Sequence, residues 1–212
     1  MSAGVRRVEG ALAGEHLARL RDVSTGTAAF RRAAGALAAI VVAEALRDME
    51  MHEVEILTPI MSALVPRPAR RVTLVPVLRA GLVMLDPALA LLPEDTRVGF
   101  VGMARDEVTL SPHTYVRSLP PDLADDEVVV LDVMIATGGS STAALDALVD
   151  AGARRLRLAG LISAPEGLMR LAQSHPDVPV TVAAIDERLN EQGFIVPGLG
   201  DAGDRLYGTA PS

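Results

Sequence analysis

The stretch "VVVLDVMIATGGSST", from Val128 to Thr142, decides how this chain is read. A β-branched run leads into Asp132 and crosses Val133, Met134, Ile135 and Ala136. It then reaches Thr137, Gly138, Gly139, Ser140 and Ser141. Continuous apolar residues mark a strand buried on both faces, as parallel strands are. The Gly/Ser/Thr turn that follows opens a helix, whose first backbone N–H groups have no intrahelical partner. One acid and several free donors therefore share one edge of a sheet. Such a place suits a phosphate.

Working outward, short apolar runs recur at Val72–Leu78, Arg97–Met103, Glu127–Val133, Arg155–Ser163 and Val178–Ile185. Helical spacing is found from about Ala28 to Met49, behind the capping stretch "DVST", and at Leu82–Leu92, Ser141–Ala151 and Pro165–Ser174. Strands alternating with helices predict an α/β fold, a parallel doubly wound sheet flanked by helices. Ligands of such sheets sit at the carboxyl ends of the strands. The polar, proline-rich segment from Asp106 to Asp126 breaks the pattern and carries Tyr115, which predicts a projecting arm or hairpin rather than core. No repeat, low-complexity tract or linker divides the chain, so one domain over residues 1–212 is expected.

Composition removes several classes of function. The chain has a formal net charge of -7 and no Lys/Arg run longer than two, which argues against a nucleic-acid binder. It has no Cys, which excludes disulfides, zinc–thiolate sites and Cys nucleophiles. It also has no Lys, which excludes a Walker-type phosphate loop and a pyridoxal Schiff base. The apolar run Gly35–Leu46 is too short to span a bilayer and contains Glu44; Glu15, His16 and Arg19 interrupt the N-terminus. A soluble, cytoplasmic protein without membrane contact is expected. The histidines, His16, His52, His113 and His175, lack ligand spacing and read as surface or structural groups. Met61, Met84, Met103 and Met134 read as core filler.

Four charged residues follow strands: Arg79, Arg105, Asp132 and Asp186. Taken singly, an Arg after a strand is a solvated loop residue, an Asp there caps a helix, and "TGGSS" is an ordinary turn. The topology brings them to one edge, and their convergence points to a polyanion site.

The segments "LRDVSTGTAAFR", "VPVLRAG", "VGMARDE", "LDVMIATGGSS", "SAPEGL" and "IDERLNEQGFIVPGLGDAGDRLYGT" fall in an order that resembles the uracil phosphoribosyltransferases. The likeness runs from about Leu20 to Thr209, and "PGLGDAGDR" is its most specific part. It implies the type I phosphoribosyltransferase fold, with a hood over the site to which Tyr115 would belong. It also implies the reaction of uracil with 5-phospho-α-D-ribose 1-diphosphate (phosphoribosyl diphosphate) to give UMP and diphosphate, with Mg²⁺ as cofactor, in pyrimidine salvage. Arg79 and Arg105 match the diphosphate-binding arginines. The run Asp132, Val133, Met134, Ile135, Ala136, Thr137, Gly138, Gly139 and Ser140 matches the sugar-phosphate motif, with Asp132 on the ribose hydroxyls and Ala136 to Ser140 around the 5′-phosphate. Ile195, Gly200, Asp201 and Ala202 match the uracil-contacting positions, within a base loop of about residues 186–209. Asp201, Arg105 and Asp132 are the implied catalytic residues, with Asp201 near a Mg²⁺ held mainly by the substrate. A homodimer or higher homo-oligomer is implied, and GTP is an effector of some members.

The chain departs from the pattern at Val133, where the family has Pro, and at Val83 and Arg188, where it has Gly. Phe194 replaces a Tyr. Val133 and Arg188 leave turnover and base choice open. Beside the active enzyme stand two other readings. One is a weakened homologue that senses phosphoribosyl diphosphate or UMP. The other is a dinucleotide binder, which the absence of a spaced glycine fingerprint disfavours.

Overall fold

The computed structural model describes residues 4–105 and 112–209. Its main sheet begins at an edge with β1 (Val5–Arg7) and continues through β10 (Val180–Ile185), β9 (Arg155–Ser163), β8 (Glu127–Ile135) and β4 (Val72–Leu78) to β6 (Phe100–Arg105) and β7 (Pro112–Ser118). All neighbours are parallel except β6 and β7, which form an antiparallel hairpin. A short β5 (Arg97–Val98) also pairs with β4. The central strands are buried along nearly their whole length, as their uninterrupted apolar sequences require. The edge strand β1 is three residues long and carries Arg6 and Arg7, which suits an edge that must not recruit another chain.

Helices cover both faces. On one face α2 (Thr27–Ala45) presents Phe30, Ala33, Ala34, Leu37, Ala38, Val41 and Val42, a stripe at helical spacing, to β9 and β10. It is joined there by α1 (Ala11–Arg21) and α3 (Leu82–Leu89). The other face holds α4 (Gly139–Asp150) and α5 (Pro165–Ser174). The chain runs outward from β8 through β9 to β10 on one side and from β4 to β6 on the other, so the direction of winding reverses between β4 and β8. That reversal opens the crevice where α/β sheets bind ligands.

The amino ends of these strands are held by a buried carboxylate. Asp126 accepts from the Thr73 hydroxyl at 2.5 Å, from Arg71 at 3.2 Å, and from Arg97. Its burial corrects one expectation: the arm was to extend from Asp106 to Asp126, yet Leu123 and Asp126 are buried and belong to the body. Residues 106–111 lie outside the described residues, as does the side chain of Tyr115. The structure adds α1, β1 and a separate antiparallel hairpin of β2 (Met51–Leu57) and β3 (Ser62–Pro68), none of which was expected from sequence. Met84 is core, as expected, whereas Met61 is exposed at the hairpin's turn.

Candidate active site at the carboxyl edge of the sheet

Two loops meet the crevice. The first leaves β8 at Ile135 and enters α4 at Gly139. Gly138 has φ of +74°, which L side chains adopt only under strain, and a Cβ there would lie 2.7 Å from the Gly167 carbonyl oxygen. Gly167 in turn has no room for a Cβ, which would stand 2.5 Å from the Ala136 carbonyl oxygen. The loop is therefore seated on the first turn of α5, and Ala164 N–H donates to the Ile135 carbonyl at 2.9 Å. Thr137 and Ser140 are exposed, and the first helical bond of α4 is from Thr142 N–H to Gly138. The N–H groups before it have no intrahelical partner and lie at the positive end of the helix dipole, Gly139 N–H donating to the Thr137 hydroxyl at 3.4 Å.

Asp132 lies beneath this loop, buried, and accepts from the Ser141 hydroxyl at 2.7 Å. Burial pushes its carboxyl up to about 6, although the Ser141 hydroxyl and the Met134 N–H pull the other way. Val133 and Ile135 point into the two cores, so only their backbones are free to meet a ligand.

Arg79 follows β4, next to β8 in the sheet, and is exposed. Its peptide bond to Leu78 is cis. Its carbonyl accepts from the Tyr207 hydroxyl at 3.0 Å. Arg105 closes β6, three residues beyond Gly102, which pairs with Leu78 of β4. Only its backbone is among the described residues.

The second loop follows β10. Asp186 was grouped with the ligand-facing charges, but its carboxylate is fully engaged: Arg21 donates at 2.9 and 2.5 Å, and Gly198 N–H at 2.9 Å. It anchors the loop. Beyond it β11 (Arg188–Leu189) pairs with β12 (Ile195–Val196), and Asp201 caps α6 (Ala202–Tyr207) by accepting from Asp204 N–H at 2.9 Å. Ile195 and Ala202 are buried, while Gly200 and Asp201 are exposed. Arg205 fixes α6 by donating to the carbonyls of Leu199 at 2.9 Å and Asp22 at 2.6 Å, with its guanidinium 4.3 Å from the Phe30 ring centroid. Arg188 is exposed and pairs with Glu187 at 3.1 Å.

Glu166 joins the two loops. From the first turn of α5 its Oε1 accepts from Leu189 N–H at 2.9 Å, and that bond lowers its carboxyl below the usual range. The residue lies within "SAPEGL", but nothing in the sequence says that a glutamate there reaches residue 189. Arg21 and Arg205 were likewise invisible, since their partners are far away in the chain. Among the described residues no cluster of three His, Cys, Asp or Glu could hold a metal, and no helix is long and apolar enough to cross a membrane.

A hypoxanthine-guanine phosphoribosyltransferase from Bacillus anthracis shares this fold with a TM-score of 0.52, at 13% identity over 76% of this chain and 80% of that one. The fold is that of the type I phosphoribosyltransferases. Likeness narrows from there. The AQ2163 protein from Aquifex aeolicus superposes with a TM-score of 0.92 at 36% identity, covering 99% of this chain and 100% of that one. The uracil phosphoribosyltransferase of Thermus thermophilus is 50% identical over 194 residues, 91% of this chain and 93% of its own. The profile of the uracil phosphoribosyltransferases matches residues 8–209. The chain belongs to that family.

Proposed function

We propose that the carboxyl-edge site carries out the reaction of the family, the transfer of a phosphoribosyl group to uracil. The C1′–O bond to diphosphate breaks, the bond from uracil N1 to C1′ forms, and the N1 proton is lost. The observation that carries this reading is the seating of a donor-rich helix start and a backbone-lined loop on one turn of α5. One loop suits the 5′-phosphate and the other the base, with a gap between for the ribose. Because the reacting carbon develops oxocarbenium character as diphosphate leaves, the protein needs no nucleophile; it needs alignment and charge stabilisation.

In this reading Arg79 and Arg105 take the diphosphate through guanidinium forks. Ala136 to Ser140 take the 5′-phosphate, and Asp132 holds the ribose hydroxyls. Backbone groups at Ile195, Gly200 and Ala202 read the edge of uracil. Asp201 spends one carboxylate oxygen on its cap and keeps the other exposed, a hard donor of the kind Mg²⁺ accepts beside substrate phosphates. Bound there, Mg²⁺ would neutralise charge on the departing diphosphate. Arg188 is exposed and turned to Glu187, and the match to the uracil phosphoribosyltransferase family supports uracil as the base.

The protein would act in the cytoplasm as a homo-oligomer. Apolar side chains on the β2–β3 hairpin support assembly: Ile60 is 92% and Leu57 81% exposed. So does an apolar groove of about 930 Å³ between α2, α3 and α6. UMP formation from uracil and phosphoribosyl diphosphate with Mg²⁺, measured with and without GTP, tests the reading. Absence of UMP despite tight phosphoribosyl diphosphate binding would overturn it.

A further inference from the structure

The phosphate loop itself carries no cationic side chain, and with no Lys in the chain any charge brought to it must come from an arginine on another element. Arg170 is on α5, one turn beyond Gly167. Its Nη1 lies 3.6 Å, and its guanidinium carbon 4.0 Å, from the Cβ position of Gly139, the first residue of α4. The side chain is exposed, and among the described residues its guanidinium makes no ion pair or hydrogen bond. A cation held against the positive end of a helix dipole is unfavourable unless an anion joins them. The same helix that shapes the loop through Gly167 also delivers this charge to its rim.

We infer that Arg170 is a binding residue for the 5′-phosphate of phosphoribosyl diphosphate and of UMP, adding a charge-assisted contact to a loop that otherwise binds through backbone N–H groups. The inference rests on the phosphoribosyl-transfer reading above. It separates the two phosphate ends of the substrate: Arg79 and Arg105 take the diphosphate and Arg170 the 5′-phosphate.

The test compares Arg170→Ala, Arg170→Lys and wild type, using UMP and inorganic diphosphate as separate probes. Replacing Arg170 by Ala should weaken UMP binding in calorimetry and raise KM for phosphoribosyl diphosphate by about tenfold, the size of one charge-assisted contact. KM for uracil and inhibition by diphosphate should stay within about twofold, a change too small to count as a lost contact. Arg170→Lys should recover part of the UMP affinity, which a purely structural role would not predict. Unchanged UMP affinity in Arg170→Ala, or equal weakening of UMP and diphosphate, overturns the assignment. A wild-type protein that forms no UMP overturns the underlying reading, and Arg170's role with it.

Discussion

Two acids border the crevice, and their surroundings give them different properties. Asp201 is exposed and caps α6, a task Asn performs equally well. Asp201→Asn should therefore fold with an unchanged melting temperature yet lose about 100-fold or more in kcat, as loss of a charge-stabilising group does; near-full activity would remove Asp201 from the mechanism. Asp132 is buried with its carboxyl raised to about 6 from 3.8. As pH rises, the unfolded chain ionises first, so this group subtracts stability between about pH 4 and 6 and the loss persists above. Asp132→Asn should escape that loss. Its stability relative to wild type should improve by about 2 kcal/mol between pH 4 and pH 8 in denaturant titrations, while phosphoribosyl transfer falls. A pH-independent difference would mean that Asp132 is not strained by burial. Arg105→Ala should raise KM for phosphoribosyl diphosphate more than KM for uracil, and the opposite ranking in steady-state kinetics would misplace Arg105.

At the scale of elements, the first turn of α5 ties the site together. Gly167 lies against the β8–α4 loop, and Gly167→Ala should push Ala136 away, costing about 1–3 kcal/mol in thermal unfolding along with phosphoribosyl diphosphate affinity under the proposed function. Glu166 holds the β11–β12 hairpin at Leu189. Glu166→Ala should raise KM for uracil, whereas Glu166→Gln, which keeps an acceptor oxygen, should stay near wild type; equal effects of the two variants would assign the role to charge instead. Element boundaries were partly legible. The spans of β4, β9 and α5 agree with the sequence because apolar period and flanking Pro or Gly coincide there. The β2–β3 hairpin was not legible, since "MHEVEIL" and "SALVPRP" mix charge and proline with apolar residues and form strands through their mutual pairing.

For the whole molecule, the sheet is held at opposite ends by different means. The functional end is built from loops, and the other end is closed by Asp126 with Thr73, Arg71 and Arg97. Removing one member of a buried ion cluster leaves charge uncompensated, so Asp126→Ala should lose about 3–5 kcal/mol in chemical denaturation without a specific effect on either KM. The apolar tip of the hairpin belongs to this scale too. Under the proposed assembly, Ile60→Asp should shift the protein toward monomer in analytical ultracentrifugation; an unchanged mass would leave the hairpin outside any interface.

The sequence by itself determined the alternation of strands and helices, the positions of Arg79 and of the Gly-rich β8–α4 loop after their strands, and the family. These follow from local pattern, where neighbours in the chain are neighbours in space. Asp132, read as following its strand, instead lies inside β8, which runs on to Ile135. Only the tertiary structure decided that Asp186 is bound by Arg21 and Gly198 instead of facing the crevice, that Glu166 reaches Leu189, and that Arg170 stands at the start of α4. A side chain's role there depends on what the folding chain brings against it from far along the sequence, and spacing carries no record of such contacts.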